Sequence, residues 1–177
     1  MDSDPVVIVG SARTPMGTFQ GIFTNFTAPE LGAVVIRAAI QRAGLQLNDV
    51  EKVLMGCVLS GGLGQAPARQ AAIKAGMNQS TDCTTINKVC GSGMKTVMLA
   101  HDMLLAGSNS IFLAGGLESM TNAPYMLDKA RSGYRMAHGQ IRDLMFVDGL
   151  EDAYSGKLMG FFAEKTAEKY NFSRKEK

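Results

Sequence analysis

Three cysteines and two histidines are the residues best suited to nucleophilic or metal chemistry in this 177-residue chain, and one cysteine stands apart from the others. Cys90 falls in Asn87-Lys88-Val89-Cys90-Gly91-Ser92-Gly93, between a short β-branched run and a long apolar one. Strand, turn and helix in that order place the thiol at the amino end of a helix. Unpaired backbone amides and the helix dipole stabilise negative charge there, which favours the nucleophilic thiolate. Gly91 and Gly93 carry no side chain and leave space for a carbonyl carbon to reach the sulfur. The amide of Cys90 or of Gly91 is a candidate donor to the oxyanion that such an attack creates. The alternative is packing, because a free cysteine commonly serves as a small buried hydrophobe. Packing is the expected role of Cys57, which follows a strand, and of Cys83, which precedes one.

A cysteine nucleophile needs a base within hydrogen-bond reach. His101 lies eleven residues beyond Cys90, about 16 Å along a helix, and so reads as a satisfied core residue instead. His138 sits in an irregular stretch whose path to Cys90 the sequence does not define. With two histidines and no Cys-x-x-Cys pair, a zinc site is not expected. The glycine-rich Gly61-Gly62-Leu63-Gly64-Gln65 precedes a helix but lacks the phosphate-cradling fingerprint, so tight packing is the simpler use. Lys129, Arg131, Arg135 and Arg142 form a basic stretch that suits either a solvated face or an anionic substrate tail.

The elements that must position Cys90 follow a repeating cycle. Val6 to Val9 is a continuous β-branched run, the pattern of a strand buried on both faces. Thr27-Ala28-Pro29-Glu30 is a capping box. The apolar Leu31, Val34, Val35, Ala38 and Ala39 then keep helical spacing until Gly44. Val53 to Met55 with Val58 reads as a strand, Pro67 to Ala75 as a helix stopped by Gly76, and Thr84 to Ile86 as a strand. Gly91 to Ala106 is a third helix and Ile111 to Ala114 a fourth strand running into Gly115-Gly116. The order βαβαβαβ predicts a parallel sheet with helices on both faces. Met94, Val97, Met98, Ala100, Met103 and Leu104 leave the third helix almost no polar side, so it is expected in the interior, covered by a second layer. Residues 121–156 show no periodicity and read as loops, and Lys157 to Tyr170 returns to helix.

Composition narrows the function class. Eighteen basic against sixteen acidic residues give a net charge of +2, which makes no case for nucleic acid or an anionic membrane. Glycine, 20 of 177, is enriched over its usual share of roughly 7% and clusters at the ends of apolar runs. An odd cysteine count without a secretory or transit pattern predicts a reducing, cytoplasmic setting.

Four segments together resemble one family. Ser11-Ala12-Arg13-Thr14-Pro15, Gly64-Gln65-Ala66-Pro67-Ala68-Arg69-Gln70-Ala71-Ala72, the Asn87 to Gly93 segment, and Ala114-Gly115-Gly116-Leu117-Glu118-Ser119-Met120 occur in the order and spacing of thiolases of the acetyl-CoA acetyltransferase type. The resemblance covers essentially the whole chain. It implies an α/β thiolase-like fold: residues 1–120 as a βαβαβαβ amino-terminal domain with a mostly parallel sheet, lacking its last strand, and residues 121–177 as the start of an inserted loop domain. It implies that Cys90 accepts an acyl group from coenzyme A as a thioester and passes it to a second acyl-CoA, or that the reverse cleavage occurs. Leu150, in Asp148-Gly149-Leu150, and Met159 are implied to line the acyl or pantetheine end. Leu158 stands where acetoacetyl-CoA thiolases usually carry histidine, which implies a drier pocket. No separate cofactor is implied beyond coenzyme A thioesters as substrates, and a homodimer or homotetramer built on the edge of the strand near Thr84 is expected.

Thiolase subunits run to roughly twice this length, as two domains plus an insertion require. The family's histidine base, second cysteine and oxyanion-hole asparagine have no counterpart here, so the sequence is expected to be part of a longer polypeptide, with the carboxyl-terminal domain absent. Two other functions compete. One is a non-catalytic binding or assembly module, if 177 residues are the natural form. The other is a condensing enzyme of the ketoacyl synthase kind, which shares the fold but whose nucleophile neighbourhood does not look like Asn-Lys-Val-Cys-Gly-Ser-Gly.

Overall fold

The computed structural model describes residues 6–108 and 110–176, and these divide into two compact units, Met1–Ala123 and Pro124–Lys177. The acidic stretch Met1–Pro5, part of the basis for the localisation expectation, lies outside the described residues.

In the first unit a parallel sheet is wound with helices. Its elements are α1 (Ala28–Arg42), β1 (Lys52–Gly56), α2 (Pro67–Ala75), β2 (Asp82–Ile86), α3 (Ser92–Leu105) and β3 (Phe112–Gly116). The strand order is β2-β1-β3. Both ladders end together, Gly56 standing beside Ile86 and beside Gly116. The mixed α/β architecture with parallel strands is as the sequence predicts, and the limits of the three helices agree to within two residues. Thr27 and Glu30 close the capping box, with the Thr27 N–H donating to Glu30 Oε2 at 2.8 Å. Gly76, at φ +94°, stops α2.

The core lies where α1 and α2 pack on β1. Ile36 and Ile40 from α1, Val53 and Met55 from β1, and Ala68, Ala71, Ala72 and Ala75 from α2 are all buried. Leu54, also buried, alternates to the other face of β1, where α3 packs. The buried residues of α1 are Ala28, Pro29, Gly32, Ala33, Ile36 and Ile40, a stripe rotated from the expected one, and Val34 is exposed. Small residues decide this. A methyl on Gly32 would come within 2.8 Å of Leu117 and 3.0 Å of Ala71, so the helices meet where side chains are shortest, not where they are most apolar.

Two expectations are corrected. Val6 to Val9 forms no strand, and Val7, Ile8 and Val9 are exposed. A β-branched run favours extended backbone, yet a strand also needs a hydrogen-bonded neighbour. Here the segment instead forms one wall of a cavity of about 470 Å³, with β3, α1 and α3 as the other walls. Nor is α3 interior. Only Ser92, Thr96 and Ala100 are buried, while Met94 is 73% exposed. One sheet covers one stripe of a helix, and no second layer lies over the rest among the described residues.

The second unit is small. β4 (Tyr125–Leu127) and β5 (Ile141–Asp143) pair antiparallel within the stretch expected to be loops, because Met126 and Arg142 meet in register across a ribbon too short to show periodicity. A π-turn spans Phe146–Leu150 and α4 spans Met159–Tyr170. No helix among the described residues is long and apolar enough to cross a membrane.

Candidate active site

Cys90 emerges from the turn that follows β2, at the carboxyl ends of the parallel strands, where open α/β sheets place their ligands. Its thiol is exposed, whereas Cys57 is buried and Cys83 half-buried. Cys83 lies within β2, not before it.

A network of short bonds shapes the turn. Val89 adopts φ +46°, a left-handed conformation that costs a non-glycine residue roughly 1–3 kcal/mol, most for a β-branched one. The Val89 N–H donates to Asn87 Oδ1 at 2.9 Å. The Ser92 hydroxyl donates to the Val89 carbonyl at 2.6 Å and accepts the Lys88 N–H at 2.8 Å. The Gly91 amide donates to the Lys88 carbonyl at 3.1 Å. Gly91 is therefore committed to the turn and is withdrawn as an oxyanion donor, since an N–H already bonded along the chain does not also point at a ligand.

Glycine lets the turn approach the sheet. A methyl added at Gly56 would lie 2.7 Å from Ser92 Cβ and 2.8 Å from the Gly93 nitrogen. One turn further along α3, the fully buried Thr96 shares its hydroxyl proton between the Gly93 carbonyl at 2.7 Å and the Gly115 carbonyl at 2.9 Å. The amino end of α3 is thus fastened to β1 and β3, and Cys90 rides on the fastened end.

Beside this, the Glu118 carboxylate accepts the amides of Val58 at 2.9 Å and Leu59 at 3.0 Å, and the Cys57 thiol at 3.7 Å. Burial, with the Glu118 charge and hydrogen bond adding to it, pushes the Cys57 thiol up to about 12. Burial also raises Cys83. Both stay neutral thiols at physiological pH, which agrees with the packing role expected of them.

The histidines divide differently from expectation. His101 is on α3 but exposed, its Nδ1 3.3 Å from Asp102 Oδ1, because it falls on the stripe the sheet does not cover. His138 is exposed in the second unit. Gly61 to Gln65 is a largely exposed turn, not a tightly packed one, tied to α2 by Gln70 Nε2, which donates to the carbonyls of Leu63 at 2.8 Å and Gln65 at 2.7 Å. Arg142 pairs with Asp128 at 3.2 Å.

The three other candidates belong to the second unit, on two segments that run side by side. An antiparallel bridge joins Glu151 to Leu158, and the Asp152 amide donates to the Lys157 carbonyl at 2.8 Å. Leu150, at the end of the π-turn, and Leu158 and Met159, at the start of α4, are thereby neighbours. Leu158 and Met159 are exposed and Leu150 half-buried. Sequence reasoning missed Val89, Ser92, Thr96 and Glu118. Only Glu118 left a signal, a lone carboxylate directly after a buried strand and two glycines.

Comparison with known proteins agrees with the motifs. The family profile described as "Thiolase, N-terminal domain" matches residues 6–177. The acetyl-CoA acetyltransferase of Cupriavidus necator is 52% identical over 96% of this chain, which covers 43% of that protein. The mitochondrial acetyl-CoA acetyltransferase A of Xenopus laevis is 48% identical over 97% of this chain, which covers 40% of that protein, and the acetyl-CoA acetyltransferase of Pseudomonas aeruginosa 47% over 97%, which covers 44%. The chain spans about two fifths of the length of these curated relatives. On its sequence motifs, its fold and these matches, the chain belongs to the thiolase family.

Proposed function

We propose that the polypeptide carrying this sequence is an acetyl-CoA acetyltransferase, condensing two acetyl-CoA to acetoacetyl-CoA and coenzyme A, or cleaving 3-ketoacyl-CoA in reverse, through a thioester on Cys90. The observation that carries this is the exposed Cys90 on a strained, hydrogen-bonded turn at the carboxyl ends of the strands. Pre-set turns of this kind concentrate at reacting groups.

In the first half-reaction the Cys90 thiolate attacks the thioester carbonyl. The sulfur–carbon bond to coenzyme A breaks, and coenzyme A leaves as a thiolate that takes a proton. In the second, the α-carbon of another acyl-CoA, having lost a proton, attacks the acyl-Cys90 carbonyl and frees the Cys90 sulfur. The role of this chain is to present the nucleophile. Leu150, Leu158 and Met159 are proposed to line the acyl or pantetheine end, a reading supported by the Glu151–Leu158 bridge, which brings their backbone segments side by side. The leucine at 158 favours a less polar acyl group than a histidine there would. Assembly as a homodimer or homotetramer would use β2, which forms one edge of the sheet.

The test is intact-protein mass spectrometry of the full-length polypeptide after mixing with acetyl-CoA. One acetyl adduct on Cys90, absent from Cys90→Ala, is expected, and labelling that survives the substitution overturns the proposal.

A further inference from the structure

We infer that Ser92, seconded by Asn87, is a positioning residue for Cys90: its hydroxyl holds Val89 in the left-handed conformation that aims the thiol. The inference rests on the proposed role of Cys90 as acyl acceptor.

Val89 has no steric reason to remain at φ +46°, since a β-branched residue left to itself returns to negative φ. Three bonds keep it there. Asn87 Oδ1 takes its N–H at 2.9 Å, and the Val89 carbonyl takes the Ser92 hydroxyl at 2.6 Å and the Ser92 amide at 3.0 Å. The same hydroxyl accepts the Lys88 amide at 2.8 Å. Ser92 therefore grips the chain at the Lys88 amide and at the carbonyl of the peptide that leads into Cys90. It is suited to this because it cannot move. It is 5% exposed, with its Cβ against the backbone of Gly56. The position of a packed helix end is passed through one hydroxyl to an exposed sulfur. A buried serine is not placed to touch substrate, so its loss should change the rate of acylation and not the binding of acyl-CoA.

The experiment is a double-mutant cycle in the full-length polypeptide, read as the single-turnover rate of Cys90 acylation by acetyl-CoA. Ser92→Ala is expected to slow acylation about tenfold with KM for acetyl-CoA unchanged. Glycine adopts φ +46° freely, so adding Val89→Gly should restore most of that loss. A serine that merely stabilised the fold would give additive effects. Additivity, or acylation by Ser92→Ala at the wild-type rate, overturns the inference. Should Ser92→Ala not fold, Asn87→Ala carries the same cycle at an exposed site, with the same expected slowing and the same rescue. Iodoacetamide alkylation of Cys90 is the parallel readout. If acetyl-CoA leaves wild-type Cys90 unlabelled, the acyl-acceptor role fails, while coupling between positions 89 and 92 in the alkylation rate still decides whether Ser92 aims the thiol.

Discussion

Replacing Gly56 by alanine tests whether the fit of α3 against β1 sets the reactivity of Cys90. The added methyl would sit 2.7 Å from Ser92 Cβ and 2.8 Å from two backbone atoms, the Gly93 nitrogen and the Ser92 carbonyl carbon. Carbon atoms rest at about 3.5–4.0 Å, so α3 must retreat by close to 1 Å, and no flexible side chain is there to yield instead. Overpacking of this kind costs about 1–3 kcal/mol of stability. A displacement of about 1 Å at a reacting group costs up to about a hundredfold in rate. Urea denaturation should report the first loss, and the rate of Cys90 alkylation by iodoacetamide, together with acyl transfer by the full-length polypeptide, the second. Gly44→Ala is the control. Gly44 has φ +70° and nothing within 4 Å of its would-be Cβ, so alanine there strains the backbone by about 1–2 kcal/mol without reaching the turn. The reasoning is refuted if Gly56→Ala alkylates at the wild-type rate, or if Gly44→Ala slows the thiol as much.

Two further outcomes are expected. Thr96→Val keeps the shape of the side chain but leaves the Gly93 and Gly115 carbonyls without its proton, and should cost about 1–3 kcal/mol in thermal or urea unfolding. Cys57 ionises at about 12 when folded against an ordinary value of 9. Between those values the unfolded chain releases this proton and the native one does not, so stability should fall as pH rises through that window. Cys57→Ala should flatten that slope, measured by urea midpoints at several alkaline pH values.

Where the chain marks its own boundaries, sequence and structure coincide. Thr27, Pro67, Gly76 and the Gly115-Gly116 pair all act on their immediate neighbours, and each sits at the end of the element it was expected to end. What was not legible depends on partners distant in sequence. Val6 to Val9 has the composition of a strand, but pairing is a property of two segments. The apolar surface of α3 shows that the helix needs cover on all sides, not whether this chain supplies it. The buried stripe of α1 was chosen by Gly32 fitting Ala71 of α2 and Leu117, a matter of shape that apolar periodicity does not record. At the candidate site, the place of Cys90 between strand and helix was legible because the signals for it are local. The hydroxyls that hold it were not, because Ser92 and Thr96 look like any polar residues on a helix until their acceptors are known.

The β1–β2 ladder joins segments separated by α2 and its loops, and the β1–β3 ladder spans α2, β2 and α3; such non-local pairings carry a loop-closure cost that slows folding. The amino end of α3, beside the turn that carries Cys90, is fastened to Gly56 on one strand and, through Thr96, to the Gly115 carbonyl on another. In a chain whose sheet has not yet closed these fastenings are missing, so the geometry of the Cys90 turn is expected to be set only once β1 and β3 have docked. Followed in time during refolding, the reactivity of Cys90 becomes a clock for completion of the sheet.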